Sequence, residues 1–160
     1  MAIEKGEYTI RHAKKEDIDQ ISDLILRLKK LNEEFDPLYT VRHEAPEIVR
    51  KYVSESFDKE DVIMLVADSL GKIVGVIRAE IRSRIFYDPL MSGVITDLYV
   101  LPSYRRKGVG ETLVTSLIKI LRSRGIGLVS AEFPPMNKIA VEFYTNMGFK
   151  PLLYVFFKEI

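Results

Sequence analysis

The chain has 160 residues, 47% of them apolar, and a formal net charge of +1. This suits one domain with one core and gives no global electrostatic attraction to nucleic acid or to an anionic membrane. The absence of cysteine excludes disulfides, thiolate zinc sites and a cysteine nucleophile. With only His12 and His43 and no HExxH spacing, we expect no metal site. No apolar run approaches a membrane span and the first residues lack a signal-peptide pattern, so we expect a cytoplasmic protein.

The first half of the chain predicts a strand, two helices and a three-stranded meander. Residues 8–13 alternate like a short strand, and apolar residues recur every three or four positions over 14–35, which predicts an amphipathic helix. Residues 46–57 predict a second, weaker helix. Three strands are then predicted at 62–68, 72–86 and 94–101. Short turns between them favour antiparallel pairing.

The second half predicts a helix, a strand, a helix and a final strand. A helix begins near Val109 and ends at Gly125, the strand covers 126–133, and the next helix covers 137–147. Residues 152–160 predict the last strand. Because one helix joins the strands at 94–101 and 126–133, these two should be parallel. We therefore predict a single domain over 1–160 of the α/β (α+β) class, with a mixed, mostly antiparallel sheet and the order β-α-α-β-β-β-α-β-α-β. The apolar terminal strand fits either the core or a homodimer.

A basic, glycine-containing loop precedes the third helix. Arg105, Arg106 and Lys107 stand directly before Gly108 and Gly110, although positive charge is unfavourable at a helix N-terminus. Glycines allow close approach of backbone N–H groups, so the pattern favours a bound phosphate. A solvated basic turn at a glycine-rich helix entry explains it equally well. The loop does not match a P-loop, it lacks the third glycine of a dinucleotide fingerprint, and no nucleic-acid motif accompanies it.

Two motifs together carry a family resemblance. "ITDLYVLPSYRRKGVG" at 95–110 has a strand ending in V-x-P and an R-x-x-G-x-G loop, and "NKIAVEFYTNMGF" at 137–149 has the pattern N-x-x-A-x-x-F-Y-x-x-x-G-F. From about 94 to 149 the chain resembles the GCN5-related N-acetyltransferase (GNAT) family. "AEFPPMN" at 131–137 is similar to the ribosomal-protein alanine acetyltransferases of that family. The resemblance implies a GNAT-like sheet and acetyl-CoA as co-substrate, with no metal. The acceptor would be a primary amine of a small molecule, peptide or protein. A non-catalytic acyl-CoA sensor of the same fold is the alternative.

The resemblance also implies which residues hold the coenzyme. The strand at 98–100 would bulge away from its neighbour and offer backbone groups to the pantetheine arm, and the glycine loop would hold the pyrophosphate. The implied coenzyme-binding residues are Leu98, Tyr99, Val100, Arg105, Arg106, Lys107, Gly108, Val109, Gly110, Asn137 and Tyr144. Asn137 is equally a helix cap. Tyr144 would also be the general acid that protonates the leaving thiolate, unless it is only a packed aromatic.

The general base and the acceptor site are less defined. Some relatives use a glutamate where this chain has Val94, whereas Glu132 matches a glutamate of the alanine acetyltransferases; its other interpretation is a structural hydrogen-bond acceptor. Asp97 and Glu80 are weaker candidates. For a cationic amine we identify four candidate residues, for which a solvated helix end is the alternative explanation. They are Glu34, Phe35, Asp36 and Tyr39.

Overall fold

Over residues 3–5 and 7–160, which the computed structural model describes, six strands form one sheet in chain order. Neighbouring strands are antiparallel except the last two, which are parallel. The strands are β1 (Ile3–Lys5), β2 (Tyr8–His12), β3 (Val62–Ser69), β4 (Lys72–Ser83), β5 (Met91–Val100) and β6 (Val129–Ala131). The helices are α1 (Ile18–Asn32), α2 (Ala45–Ser56), α3 (Val109–Ser123) and α4 (Lys138–Asn146).

Two apolar layers cover the sheet. On one face, α1 and α2 pack against side chains of β3, β4 and β5 such as Val66, Val76 and Tyr99. On the other face, α3 packs its buried leucines against the same strands, and α4 lies beside it. Gly93 allows the close approach of α3, because a Cβ at this position would lie 2.5 Å from the side chain of Leu121.

The structure confirms the predicted fold class and the parallel crossover between β5 and β6. It adds β1, which the sequence does not predict, and it shortens the strand predicted at 126–133 to three residues. The predicted final strand is wrong for this chain alone, since 151–160 have neither helix nor strand. A strand needs a hydrogen-bonded neighbour, and none of the described strands pairs with this segment. Within the described residues, no helix has the length and apolar character needed to cross a membrane.

Candidate active site

A β-bulge in β5 opens the sheet. Arg78 of β4 pairs with Asp97, but the next residue, Ala79, pairs with Ile95, so Thr96 is an extra residue without a partner across the ladder. Pairing between β5 and β6 also stops at Ile95, whose carbonyl accepts a 3.0 Å hydrogen bond from the N–H of Glu132. A bulge bends a strand and increases its twist. Beyond Ile95, β5 therefore continues without pairing to β6. The bulge lies at Thr96, before the segment 98–100 at which the resemblance implies it, and 98–100 have no pairing with β6.

Beyond Ile95, the edge of β5 that faces away from β4 is unpaired and has free backbone groups. We call the space beside this edge the gap. The N–H of Leu101 donates to the carbonyl of Val74 on β4. In an antiparallel pair, the backbone N–H and C=O groups of alternate residues face the neighbouring strand, and those of the residues between them face away. The backbone groups of Leu98 and Val100 therefore face away from β4. The carbonyl of Val100 accepts a 3.0 Å hydrogen bond from Nε of Arg105. Tyr99 is placed differently, because its backbone pairs with β4 and its ring is buried under α1 and α2.

The glycine loop forms a run of unpaired donors. Arg106 has φ +62° and Gly108 has φ +77°, both in the left-handed region, which glycine adopts without steric cost. The first backbone bond of α3 runs from the N–H of Thr112 to the carbonyl of Gly108. The six consecutive N–H groups from Arg106 to Glu111 have no hydrogen-bond partner among the described residues. Successive free N–H groups at a helix N-terminus form a concave site for an anion.

The three cations of the loop have different surroundings. Arg105 bonds to Val100 and stacks over Tyr99, with its guanidinium carbon 5.3 Å from the ring centre. Lys107 makes a 3.4 Å ion pair with Glu7. Arg106 is exposed and has no ion pair within the described part of the chain. Of the three, Arg106 is therefore the one whose charge is not already engaged.

The second glycine of the loop has a packing role. A Cβ on Gly110 would lie 3.3 Å from the ring of Phe143 in α4. This distance is tighter than ordinary contact, so the missing side chain lets the start of α3 and the middle of α4 approach each other. The two motifs that carry the family resemblance are thus in direct contact.

Tyr144 of α4 lies in an aromatic cluster. Its side chain is 6% exposed, its ring stacks on Phe133 at 5.2 Å, and Phe143 and Phe149 contact it edge-on at 5.1 and 5.0 Å. Burial, and secondarily the negative charge of Asp97, raise the pKa of the Tyr144 hydroxyl. This hydroxyl has no hydrogen-bond partner among the described residues. The phenol therefore keeps its proton at neutral pH and has it available to donate.

Glu132 and Asn137 stand at the two ends of the loop between β6 and α4. Glu132 follows the last residue of β6, and its carboxylate, 58% exposed, pairs with Arg82 at 3.2 Å. The hydrogen bond with Glu132 raises the pKa of Arg82. Burial acts in the opposite direction, and a further hydrogen bond with Glu80 adds to the increase. Oδ1 of Asn137 accepts a 3.1 Å hydrogen bond from the N–H of Ala140, so its predicted helix-cap role is confirmed.

A buried carboxylate lies at the bulge itself, on the face covered by α1 and α2. The side chain of Asp97 is 0% exposed and accepts hydrogen bonds from Nζ of Lys29 at 2.6 Å, from the hydroxyl of Tyr52 at 2.6 Å and from Oγ1 of Thr96 at 2.9 Å. Three donors, one of them cationic, compensate for taking this charge out of water. Asp97 thus links both helices to the bulged strand.

Arg78 extends this polar cluster along β4. It is 1% exposed, donates to Ser56 at 2.9 Å and to Glu80 at 2.7 Å, and stacks on the ring of Tyr52. Burial would raise the pKa of Glu80, but the hydrogen bonds and charges of Arg78 and Arg82 outweigh it, so that pKa lies below its usual range. The sequence signal for this cluster was weak: charged residues at inward positions of two otherwise apolar strands.

The four candidate acceptor residues are not equivalent. Asp36 uses its carboxylate to cap the short 3₁₀ turn at 37–39, accepting from the N–H of Leu38 at 2.8 Å. Phe35 is half-buried, whereas Glu34 and Tyr39 are exposed. Asp36 therefore has a structural role as a cap, whereas the side chains of Glu34 and Tyr39 are available to a ligand.

Comparison with known proteins identifies the family. Residues 28–149 match the model of the Acetyltransferase (GNAT) family, and the chain belongs to this family. An uncharacterized N-acetyltransferase of Methanocaldococcus jannaschii is 27% identical over 143 residues, which are 89% of this chain and 61% of that protein. An N-alpha-acetyltransferase of Sulfurisphaera tokodaii is 28% identical over 150 residues, 90% of this chain and 81% of that protein. The chain thus spans less than two thirds of the M. jannaschii relative.

Solved structures share the fold. The aminoglycoside N-acetyltransferase AAC(6')-Iy in complex with CoA superposes with a TM-score of 0.77 at 19% identity, covering 99% of this chain and 98% of that one. A protein described as a transcriptional regulator from Bacillus halodurans superposes with a TM-score of 0.75 at 22% identity, covering 96% and 99%. At sequence identities of 19% and 22%, these superpositions show that the fold is shared.

Proposed function

We propose that this chain is an N-acetyltransferase that moves the acetyl group of acetyl-CoA directly onto a primary amine. The observation that carries the proposal is the run of six unpaired N–H groups from Arg106 to Glu111, which follows a strand whose last residues do not pair with β6. Membership of the GNAT family supports the same reaction, as do the relatives from M. jannaschii and S. tokodaii, which are both named N-acetyltransferases.

The donors fit the chemistry of the coenzyme. The diphosphate of acetyl-CoA would accept from the N–H groups of the loop, with Arg106 as the neighbouring cation. The amide-rich pantetheine arm would pair with Leu98 and Val100 in the manner of an added strand. Arg105 would release the Val100 carbonyl if that carbonyl joins the pairing. The amide nitrogen of Asn137 is a further donor, because only its oxygen is used in the cap.

The chain supplies a proton donor, a proton acceptor and a hydrogen bond for the reaction. Bound acetyl-CoA provides a thioester whose carbonyl carbon forms the new C–N bond as its C–S bond breaks. The N–H of Leu98 would donate to the carbonyl oxygen as charge develops there. The hydroxyl of Tyr144 would give its proton to the departing sulfur. Glu132, at the point where the strands diverge, would take the proton lost by the amine, directly or through water.

The acceptor is proposed as a primary amine of a small molecule or of a peptide or protein. Two similar proteins represent these two kinds of acceptor: the S. tokodaii relative is named an N-alpha-acetyltransferase, and AAC(6')-Iy, which shares the fold, is named an aminoglycoside N-acetyltransferase. Glu34 and Tyr39 would contact a cationic acceptor through charge and through the aromatic face. Phe35 and Asp36 would stabilise the backbone conformation of the segment at 34–39.

The proposal is tested by binding and turnover measured separately. Calorimetry with acetyl-CoA tests the loop, and release of free thiol in the presence of polyamines, aminoglycosides and peptides with free N-termini tests transfer. Tyr144→Phe should lower kcat by about 100-fold or more and leave coenzyme affinity close to that of the parent. Tyr87→Phe, which removes a hydroxyl from a side chain 67% exposed, is the matched control. Binding without amine-dependent thiol release would favour the sensor alternative, and no binding at millimolar coenzyme would overturn the proposal.

A further inference from the structure

The extra residue of the β5 bulge is hydrogen-bonded through its side chain. Thr96 has no paired residue in β4, but its Oγ1 accepts a 3.0 Å hydrogen bond from Nη1 of Arg78, which belongs to β4. The same hydroxyl donates its hydrogen to Oδ2 of Asp97 at 2.9 Å. One accepted and one donated bond give the side chain of Thr96 a defined orientation, although the residue has no partner in the ladder.

Arg78 is a firmly held partner for this hydroxyl. Its side chain is 1% exposed. Nε donates to Oγ of Ser56 at 2.9 Å, Nη1 also donates to Oε2 of Glu80 at 2.7 Å, and the guanidinium carbon lies 4.2 Å from the centre of the Tyr52 ring. These contacts fix the plane of the guanidinium. The register of the ladder shifts immediately after Arg78, so this buried cation lies at the bulge itself.

The bulge decides which residues of β5 face the gap. Before the bulge, the N–H of Gly93 and the carbonyl of Ile95 form hydrogen bonds on the side of β6. Beyond it, the N–H of Leu101 bonds to β4. Residues an even number of positions apart face the same edge of a regular strand, so the extra residue has exchanged the two edges. Without it, the backbone groups of Leu98 and Val100 would face β4 and would be unavailable to a ligand in the gap.

The hydroxyl of Thr96 suits this position better than an apolar group of the same shape. Valine is branched like threonine, but it would leave Nη1 of Arg78 with one acceptor fewer and Oδ2 of Asp97 with one donor fewer. Both of these partners are buried charged residues, for which the loss of a hydrogen bond is costly. The two bonds therefore favour the backbone in which residue 96 is the extra one.

We propose that Thr96 and Arg78 are positioning residues for the coenzyme. The bond between Oγ1 and Nη1 holds the bulge at residue 96, and the bulge turns the backbone groups of Leu98 and Val100 toward the pantetheine arm. This inference rests on the proposed function and adds two residues that act through the backbone of β5. The diphosphate would lie at the separate run of N–H groups at 106–111, so the pair contributes to binding of the arm alone.

Two ligands separate binding of the arm from binding of the diphosphate. Acetyl-CoA contains both, whereas 3′-phospho-ADP contains the nucleotide and the diphosphate of the coenzyme without the arm. Thr96→Val should weaken acetyl-CoA binding by about tenfold, because the arm loses correctly placed partners, and should leave the affinity for 3′-phospho-ADP at the parent value. Thr96→Ser keeps the hydroxyl and should bind both ligands like the parent. Isothermal calorimetry measures these affinities.

Val53→Ala is the control for a general loss of stability. Val53 of α2 is fully buried and is not a member of the polar cluster, so its truncation opens a cavity and leaves the bond between Thr96 and Arg78 in place. If Val53→Ala weakened acetyl-CoA binding as much as Thr96→Val does, loosening of the fold would explain the effect and the inference would be overturned.

Arg78→Lys tests the same bond from the side of β4, and it does not depend on how Thr96→Val folds. It keeps a positive charge beside Glu80 but loses the planar group that reaches Thr96. It should weaken acetyl-CoA binding as Thr96→Val does, and the double variant should lose little more, because both changes remove one shared bond. A parent that binds both ligands, with a Thr96→Val variant that binds acetyl-CoA equally well or loses affinity for both ligands alike, overturns this inference alone. A parent that binds neither ligand overturns the proposed function and this inference with it.

Discussion

Tyr52 of α2 donates a 2.6 Å hydrogen bond to Oδ2 of Asp97, the residue beside the bulge in β5. The same carboxylate accepts from Lys29 of α1, so one buried charge joins both helices of this face to the strand. Burial, and then the negative charge of Asp97, raise the pKa of Tyr52, which keeps the phenol protonated as a donor. Contacts with α1 and α2 on one face of the sheet therefore fix the position of β5, the strand that borders the gap.

Loss of the Asp97 charge should destabilise the fold. Asp97→Asn leaves Lys29 without its partner, and we expect the free energy of unfolding to fall by about 2 kcal/mol. The loss stays below that of a fully buried pair because the Lys29 side chain is 39% exposed and can be rehydrated. Urea unfolding measures the change, and Asp58→Asn, at an exposed carboxylate, is the control. Equal midpoints for Asp97→Asn and the parent would contradict this account of the cluster.

A side chain at Gly93 should push α3 away from the sheet. Gly93→Ala places a methyl group 2.5 Å from Leu121, and overpacking of this kind costs about 1–3 kcal/mol. Gly127→Ala, where nothing lies within 4 Å of the added Cβ, should unfold close to the parent. Thermal unfolding compares the two, and adding Leu121→Val should recover part of the loss in Gly93→Ala. Failure of Leu121→Val to recover stability would locate the strain elsewhere.

Local sequence patterns were sufficient for most of the fold. The steps of four from Val109 through Leu113, Leu117 and Leu121 predicted α3, and all four residues are buried. The strand predicted at 152–160 shows the limit of such patterns. The same run of apolar residues is typical of a strand inside a sheet, but a strand also needs a hydrogen-bonded neighbour, which the sequence of the segment cannot reveal.

The site was only partly predictable because several of its contacts join residues that are far apart in the chain. The loop at Arg105–Gly110 was visible from its composition. The ion pair of Glu132 with Arg82 and the bond between Asp97 and Lys29 depend on the register of strands and on helix placement. The extra residue at Thr96 is defined only relative to β4, so no pattern within β5 could reveal it.

Stability at high pH should depend on Tyr144. Its folded-state pKa is raised above the ordinary value of 10.0. Above pH about 10 the unfolded chain loses the phenol proton while the folded chain keeps it, so the free energy of unfolding falls as the pH rises. Tyr144→Phe removes this contribution and should make the decline shallower than in the parent. Urea titrations between about pH 8 and pH 11 measure the slopes, and parallel curves for parent and Tyr144→Phe would contradict the burial effect.

Arg106 should contribute to coenzyme affinity through its charge. It is exposed and has no ion pair among the described residues, whereas Arg105 and Lys107 are already engaged. If its guanidinium bonds to the diphosphate, Arg106→Gln should weaken acetyl-CoA binding by about tenfold, the equivalent of roughly 1.4 kcal/mol for one charge-assisted hydrogen bond. The variant should also lose part of the salt dependence of binding, because screening acts on the charge that was removed. Lys119→Gln removes an exposed charge from α3 and should leave affinity unchanged. Calorimetry at two salt concentrations separates these cases, and an Arg106→Gln affinity equal to that of Lys119→Gln would show that the backbone donors act without this cation.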